Sequence, residues 1–349
     1  MKALVKYDAG PGNVEVRDIP EPSPGKGQVK IKVEMAGICG SDIHIYHSDI
    51  AIPVRPPVVM GHEFSGVVTE VGEGVEGIKP GDRVVSETAY DYCGVCERCI
   101  EGYYNLCNDR KTLGYWYNGV FTDYTVVPAG RIHLLPDNVD FVSAAMMEPM
   151  ACVTHALYDL CKIDAGDVVL VSGPGAVGLM AMMVAKAQGA KVIVSGTAAD
   201  KERLELATEL GADYVVNVQE SDLKELCDSL TGGFGVDVVA ECSGSEAAIN
   251  SGLNIIKKRG WFCQIGLPGR PVTFEIEKVC YKELHFSGSL GSRKISWRRV
   301  LRLLEMGKIN LNPLATHTFP ITEWEKAFDM FEKKEGCKIM LSPVGGDEK

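Results

Sequence analysis

Basic residues are scarce in this chain of 349 residues, which has 36 lysines and arginines against 47 aspartates and glutamates. The formal net charge is −11 at pH 7. A chain with this charge repels a phosphate backbone, so the composition argues against nucleic acid as a partner. The apolar share of 46% is typical of a globular protein, and the length favours two domains over one.

An unbroken apolar run of membrane-spanning length is also missing. Residues 168–185 carry no charged side chain, which approaches the length of a membrane span. However, Gly173, Pro174, Gly175 and Gly178 interrupt this stretch. A strand, a glycine turn and a buried helix explain it better than a span does, so we expect no membrane contact.

A secretory leader is not evident either, because the apolar start of the chain turns polar at Asp8. We therefore expect a cytoplasmic protein, in which the twelve cysteines are more suited to metal binding than to disulfides. A compact set consists of Cys93, Cys96, Cys99 and Cys107, and its spacing predicts a closed structural zinc site. An iron–sulfur cluster or four free surface thiols are the alternatives.

The pattern of the chain changes near residue 150. Before it, short alternating segments such as Val29–Val33 are separated by glycine and proline turns and predict an antiparallel β domain over residues 1–150. Over residues 151–289, strands alternate with helices, which predicts a doubly wound parallel sheet of the Rossmann type. Two helical segments follow, Ser296–Met306 and Thr322–Lys333, and we expect residues 290–349 to complete the first domain.

A dinucleotide-binding fingerprint follows the first strand of the alternating region. Gly173, Gly175 and Gly178 form G-x-G-x-x-G, with Val177 inside it, between a predicted strand and a predicted helix. In this setting the glycines allow a tight turn, a close approach of the pyrophosphate and close packing of helix and strand. The helix N-terminus then faces the phosphates.

The end of the next strand lacks the carboxylate expected of an NAD-binding protein. Gly196 stands there, and Asp200 comes four residues later. The missing acid removes repulsion of a 2′-phosphate, which Thr197, Lys201 and Arg203 could then contact. We therefore favour NADP over NAD, although the two basic residues could equally lie on a solvated helix face.

A second candidate metal site is more dispersed. Cys39 lies in the segment Cys39-Gly-Ser-Asp42, and the segment Gly61-His62-Glu63 follows further along the chain. Cysteine, histidine and carboxylate ligands form an open zinc site when one position is left to water or substrate. Spacing alone does not distinguish this site from a core cysteine and a core histidine.

Together, the Gly61-His62-Glu63 segment with Gly66, the Cys39 segment and the four-cysteine loop resemble the zinc-containing medium-chain dehydrogenase/reductase family. The resemblance covers essentially the whole chain and is closest to the branch of sorbitol (polyol) and threonine dehydrogenases. It implies a GroES-like fold for the antiparallel catalytic domain, two zinc ions per chain, and a homo-oligomer, either a tetramer or a dimer.

The resemblance also implies roles for individual residues. Cys39 and His62 match the ligands of the catalytic zinc, and Glu63 matches an adjacent glutamate that binds or leaves the metal. Glu148 stands where many alcohol dehydrogenases have a further cysteine ligand, and the resemblance to the polyol and threonine branch, in which a glutamate stands at the metal, implies that Glu148 is a zinc ligand. Ser41 and His44 match a proton relay that passes through the nicotinamide ribose.

The implied reaction is hydride transfer between NAD(P) and a small secondary alcohol, such as a polyol, a sugar alcohol or a hydroxy-amino acid like threonine. A primary-alcohol or formaldehyde dehydrogenase is the alternative within the family, and Glu148 argues against it. A non-catalytic dinucleotide-binding sensor is the alternative outside catalysis, and Ser41 and His44 argue against that. The aromatic segment Gly114–Gly119, with Tyr115, Trp116 and Tyr117, is expected either beside the substrate or in the core or a subunit contact.

Overall fold

The computed structural model describes residues 1–343. Contacts within the chain divide it into two compact units. The first unit contains Met1–Pro149 and the chain from Arg293 onwards, and the second contains Met150–Ser292. Each unit buries its own apolar cluster.

Short strands dominate the first 145 residues. The strands are β1 (Lys2–Lys6), β2 (Val14–Asp18), β3 (Gln28–Gly37), β4 (Val58–Val59), β5 (Glu63–Val71), β6 (Arg83–Ser86), β7 (Ala89–Asp91), β8 (Lys111–Thr112), β9 (Tyr124–Pro128) and β10 (Ile132–Leu134). The α-helices are α1 (Gly40–His47), α2 (Glu97–Ile100) and α3 (Phe141–Ala145).

Strands and helices alternate in the rest of the chain. The next strands are β11 (Val168–Ser172), β12 (Lys191–Gly196), β13 (Tyr214–Asn217), β14 (Val236–Glu241), β15 (Ile256–Gln264), β16 (His285–Gly288), β17 (Ala315–Pro320) and β18 (Lys338–Ser342). The helices are α4 (Met147–Asp159), α5 (Ala176–Ala187), α6 (Lys201–Glu209), α7 (Leu223–Thr231), α8 (Glu246–Ile255), α9 (Glu277–Tyr281), α10 (Lys294–Glu305) and α11 (Trp324–Glu332).

The main sheet of the first unit has the order β10-β6-β5-β3-β18-β17, and β9 also pairs with β3. Its centre is β3, in which Val29, Ile31 and Val33 are buried while Lys32 is exposed, as strand alternation requires. In the antiparallel pairing of β3 with β5, Gly37 lies opposite Glu63. The C-terminal strand β18 pairs with the same end of β3. Three chain segments therefore meet where β3 ends.

The second unit contains a parallel sheet with the order β13-β12-β11-β14-β15-β16. This order, in which the first strand lies at the middle, is that of a doubly wound Rossmann sheet. Its central strand β11 is buried over its whole length, as expected for a strand covered on both faces. The predicted α/β fold class, with a separate antiparallel domain, is confirmed.

The structure differs from the sequence prediction at two places in the strand pattern. The strand expected at Trp261 begins earlier, at Ile256, because a register shift opposite β14 and a positive φ of 59° at Arg259 carry the pairing through a polar stretch. Strand β17 lies between the two predicted tail helices and β18 lies after them, and neither strand is predicted from the sequence. Within residues 1–343, no helix is long and apolar enough to cross a membrane.

Candidate active site and metal centres

The four clustered cysteines converge on one point in the first unit. The Sγ atoms of Cys93, Cys96, Cys99 and Cys107 all lie within 4.8 Å of one another. The Sγ of Cys93 lies 3.6 Å from that of Cys107 and 3.9 Å from that of Cys99. Four sulfurs around one zinc at about 2.3 Å would lie about 3.8 Å apart, whereas a disulfide would need about 2.05 Å. The arrangement therefore fits a tetrahedral metal ion.

The loop backbone prepares one of these thiols for metal binding. Hydrogen bonds from the N–H groups of Val95 and Cys96 lower the pKa of Cys93 to about 7. Burial of the thiol raises the pKa of Cys99 to about 12. The apolar side chains of the loop do not hold it together, since Val95 is 78% and Ile100 76% exposed. A metal ion would displace the remaining thiol protons and stabilise the loop directly.

The second metal-binding group lies where β3, β5 and α1 meet. Cys39 is the N-cap residue of α1, and His62 and Glu63 stand at the start of β5. One ligand atom from each of these three side chains lies within 4.8 Å of the others, and His62 and Glu63 are buried. Gly61 makes the turn before them with a φ of 87°, where any Cβ would lie 2.5 Å from the Phe121 ring.

A buried carboxylate faces His62. Asp42 accepts a hydrogen bond from the Cys39 N–H at 2.9 Å through Oδ2, and its Oδ1 lies 3.6 Å from His62 Nδ1. With Nδ1 facing a carboxylate, Nε2 is left for a metal, which is the usual arrangement of a histidine ligand. Asp42 was not singled out in the sequence, although its position three residues into a helix behind a cysteine cap is a recognisable signal.

Glu63 is held by a buried cation. Lys338 Nζ lies 2.5 Å from Glu63 Oε2 and donates a hydrogen bond to the Ile38 carbonyl at 2.7 Å. Burial alone would lower the pKa of Lys338, but the Glu63 carboxylate and Cys39 outweigh this effect and raise it. The pair fills the space beside Gly37, where a Cβ would lie 2.5 Å from Glu63 Oε2. Sequence reasoning missed Lys338, because nothing in its own strand marks it.

The structure does not bring Glu148 into this group. It lies at the start of α4, is 9% exposed, and its Oε1 is 3.5 Å from Thr88 Oγ1. Among residues 1–343, the cluster with Cys39 and His62 is completed by Glu63 and not by Glu148. Its carboxylate instead accepts a long hydrogen bond from the Thr88 hydroxyl.

The two predicted relay residues lie one turn apart on α1 but have different surroundings. The Ser41 Oγ is shielded from solvent and makes no hydrogen bond of normal geometry within the described chain. The His44 side chain is 51% exposed, and its Nδ1 lies 2.8 Å from Asp49 Oδ1. The helix therefore leads from a shielded hydroxyl to a histidine in contact with solvent.

Tyr115 lies against the metal-binding group. Its ring meets the His62 ring edge-on with 5.7 Å between centroids, and the residue is 4% exposed. Burial raises the pKa of Tyr115 to about 12, and the neighbouring Ser41 side chain acts weakly in the opposite direction. Trp116, which belongs to the same predicted aromatic segment, is only partly buried against the apolar core.

The glycine fingerprint of the second unit adopts the predicted strand–turn–helix form. Gly173 has a φ of 94° and donates its N–H to the Ser195 carbonyl at 2.9 Å. Gly175 is the N-cap residue of α5 and has open space where a Cβ would point, and Val177 lies in the first turn. At Gly178 a Cβ would lie 1.8 Å from the Gly173 oxygen, so only glycine permits this packing.

The loop after β12 closes on itself. Asp200 accepts hydrogen bonds from the Thr197 N–H at 3.0 Å and the Thr197 hydroxyl at 2.8 Å. Arg203 lies 3.7 Å from the same carboxyl group, and its side chain is 16% exposed. Lys201 is largely exposed and lies 3.9 Å from Glu205, as the solvated-face alternative predicted. Gly196 packs against Pro174, since a Cβ there would lie 2.9 Å from the proline ring.

Comparison with known proteins places this geometry in one family. Residues 25–137 match the family model described as the alcohol dehydrogenase GroES-like domain, and residues 176–306 match that of the zinc-binding dehydrogenase. The chain is 46% identical to a sorbitol dehydrogenase of Halalkalibacterium halodurans over 345 residues, which cover 99% of this chain and 100% of that protein.

Two further relatives agree with this assignment. An L-threonine 3-dehydrogenase of Bacillus velezensis is 39% identical over 349 residues, covering 98% of this chain and 99% of that protein. The crystal structure of 2R,3R-butanediol dehydrogenase from Bacillus subtilis superposes with a TM-score of 0.87 at 32% identity, covering 98% of this chain and 99% of that chain. The chain therefore belongs to the zinc-binding alcohol dehydrogenase family, and it is a zinc-dependent oxidoreductase that transfers hydride between a secondary alcohol and NAD(P).

Proposed function

We propose that Cys39, His62 and a carboxylate hold the catalytic zinc, and that the four-cysteine loop holds a second, structural zinc. The observation that carries this proposal is the buried convergence of Cys39, His62 and Glu63 beside a shielded Ser41 hydroxyl. In the structure described above, Glu63 is the carboxylate that completes the group. Glu148 is the alternative carboxylate, and its side chain would have to move away from Thr88 to reach the group. When bound, the zinc supplies a Lewis acid that lowers the pKa of the substrate hydroxyl.

The protein's own residues handle the proton. We propose that Ser41 Oγ accepts a hydrogen bond from the reacting hydroxyl, because this oxygen is shielded and otherwise unpartnered in residues 1–343. His44, half exposed on the next turn of α1, releases the proton to solvent. Asp42 keeps the His62 ring in one orientation throughout, because its carboxylate is fixed by the Cys39 N–H.

We propose that the substrate is a secondary alcohol with a second polar group on the adjacent carbon. The relatives named above act on sorbitol, threonine and butanediol, and in each of these a hydroxyl or amino group stands next to the carbinol that a secondary-alcohol dehydrogenase oxidises. The buried, polar surroundings of the metal-binding group favour such a ligand over a purely apolar alcohol.

We propose NADP as the preferred cofactor. The turn formed by Gly173, Gly175, Val177 and Gly178 would bind the pyrophosphate at the N-terminus of α5. At the end of β12, Gly196 carries no carboxylate, and a 2′-phosphate would be bound by Thr197 in the following loop and by Arg203 in the first turn of α6. Lys201 contributes general positive charge from its exposed position.

We also propose a cytoplasmic homo-oligomer, a dimer or a tetramer. Strand β16 is an edge of the parallel sheet within the described chain, and its His285 and Phe286 are exposed next to the exposed Tyr281. An unpaired edge with apolar side chains is suited to pairing with another copy. Within residues 1–343 no two cysteines form a disulfide, which is the usual state in the reducing cytoplasm. Light scattering at several protein concentrations tests the oligomer.

Two experiments test the proposed function. Oxidation of sorbitol, 2,3-butanediol and L-threonine is measured with NAD and with NADP, and no turnover of any of them would contradict the substrate class. Metal analysis of the Cys39→Ala variant is expected to show a loss of about one zinc per chain together with activity. Unchanged zinc content in this variant would contradict the assignment of Cys39.

A further inference from the structure

A glycine-rich turn places Tyr115 beside the residue that precedes His62. The turn runs from Gly114 to Gly119, and a Cβ at Gly114 or at Gly119 would lie 2.5 Å or 2.1 Å from the Gly61 oxygen. The Val120 N–H also donates to the Gly61 carbonyl at 3.1 Å. The backbone of the turn therefore lies in direct contact with Gly61. This contact fixes where the side chain of Tyr115 can point.

The Tyr115 backbone leaves little freedom to this side chain. Its carbonyl accepts a hydrogen bond from the Arg55 N–H at 2.8 Å, and its own N–H donates to Thr112 at 3.3 Å. The ring packs edge-on against His62 and is almost completely buried. A phenol held in this way is preorganised, since neither backbone nor ring has to be ordered when a ligand arrives.

The Ser41 hydroxyl and the Tyr115 phenol consequently lie close to one another beside the candidate metal-binding group. The Ser41 Oγ is shielded and has no partner of normal geometry in the described residues, and the Tyr115 side chain interacts with it. Buried polar atoms are nearly always satisfied, so an unpartnered hydroxyl at this place points to a ligand. Each hydroxyl can both donate and accept, which matches a ligand with more than one hydroxyl group.

We propose that Tyr115 determines substrate specificity by hydrogen bonding to the polar group on the carbon next to the reacting carbinol, while Ser41 contacts the reacting hydroxyl. This inference rests on the proposed function and names the residue that reads the second polar group. The phenol can accept from an ammonium group or exchange hydrogen bonds with a hydroxyl, so it suits both a vicinal diol and a hydroxy-amino acid. A monohydric alcohol leaves it unpartnered.

The test compares two substrates that differ by a single hydroxyl, 2,3-butanediol and 2-butanol. The Tyr115→Phe variant keeps the ring against His62 and removes only the oxygen. We expect kcat/KM for the diol to fall by about tenfold or more, with 2-butanol changed by less than about twofold. Tyr90→Phe is the matched control, because this half-buried phenol bonds to Gln28 at 2.8 Å, and we expect it to leave both substrates unchanged.

A spectroscopic measurement separates recognition from chemistry. In the enzyme with cobalt in place of the catalytic zinc, the visible spectrum is titrated with each alcohol. We expect Tyr115→Phe to raise the apparent Kd of the diol by about tenfold and to leave the cobalt content and the Kd of 2-butanol unchanged. Equal losses for both alcohols, or no loss for either, would overturn the role of Tyr115.

A failure of the proposed function can be distinguished from a failure of the inference about Tyr115. If the native enzyme oxidises no secondary alcohol with either cofactor, the proposed function is wrong, and the cobalt titration still decides whether Tyr115 distinguishes diol from alcohol. If the native enzyme oxidises both alcohols but with equal efficiency, the proposed reaction stands and the inference about Tyr115 is wrong.

Discussion

Lys338 and Glu63 form an ion pair with 2.5 Å between Nζ and Oε2, and both side chains are at most 5% exposed. They come from opposite ends of the chain and meet because β18 and β5 both pair with the end of β3. The lysine balances part of the negative charge that Cys39, Glu63 and Asp42 bring to one small volume. It would also compete with a metal ion for Glu63 if Glu63 binds the zinc as proposed.

Removing this lysine should be costly. In the Lys338→Met variant the Glu63 carboxylate stays buried without its partner, and breaking such a pair typically costs about 3–5 kcal/mol. Urea unfolding of the zinc-loaded protein measures the loss. Lys2→Met is the control, since it removes a similarly short but exposed ion pair with Asp18, which solvent screens, so its loss of stability should be much smaller. Equal losses in the two variants would contradict a special role of Lys338.

The two proposed zinc sites should be separable by mutation. Cys96→Ser is expected to remove about one zinc per chain and to lower the melting temperature, because the exposed cysteine loop depends on the metal for its stability. Metal analysis and a thermal melt measure the two effects. Cys280→Ser changes an exposed cysteine outside both groups, so it should alter neither quantity. A Cys96→Ser protein that retains its full zinc would show that the loop binds none.

Cofactor preference should depend on the missing acid at the end of β12. Gly196→Asp restores a carboxylate there, and we expect its repulsion to raise the Kd of NADPH by at least about tenfold relative to NADH. Fluorescence titration with both nucleotides measures this ratio. Gly196→Ala is the matched control, because it brings the same Cβ contact with Pro174 without the charge. If native protein binds NADH more tightly than NADPH, the proposed preference is wrong.

Acid should weaken the cap of helix α3. Burial alone would raise the pKa of Asp140, but hydrogen bonds from the Ser143 N–H and the Asn312 amide outweigh it, and the pKa is lowered. A lowered folded-state pKa means that the stabilisation is complete above the unfolded value of about 3.9 and is lost as the pH falls through the folded value.

Two variants isolate this contribution to stability. Asp140→Ala is expected to cost about 1 kcal/mol at neutral pH, as the loss of an N-cap does. Asp140→Asn keeps a capping oxygen, so it should cost less and should also remove the extra acid sensitivity below about pH 4. Unfolding curves at pH 7 and at pH 3.5 make the comparison. The same acid sensitivity in the asparagine variant would contradict the assignment to Asp140.

The sequence by itself determined much of this protein, because several signals are local. The spacing of Cys93, Cys96, Cys99 and Cys107 lies within one loop, and the turn of Gly173, Gly175 and Gly178 is a contiguous strand–turn–helix pattern. Alternating strands and helices over residues 151–289 imply a parallel sheet by period alone. The pairing of Cys39 with His62 could be recognised through family resemblance, and the family is confirmed.

Tertiary structure decided what depends on distant segments. Only the pairing of β18 with β3 brings Lys338 to Glu63, and only the contact of the Gly114–Gly119 turn with Gly61 brings Tyr115 to His62. The same holds for Glu148, which lies near Thr88 and outside the cluster that Glu63 completes. A single charged residue in an apolar strand, or a hydroxyl group in an aromatic turn, produces no periodic pattern in the sequence that would mark its role. Its role follows from burial against partners that are distant in the sequence, because low solvent access is what makes the pairing of charges and hydroxyls decisive.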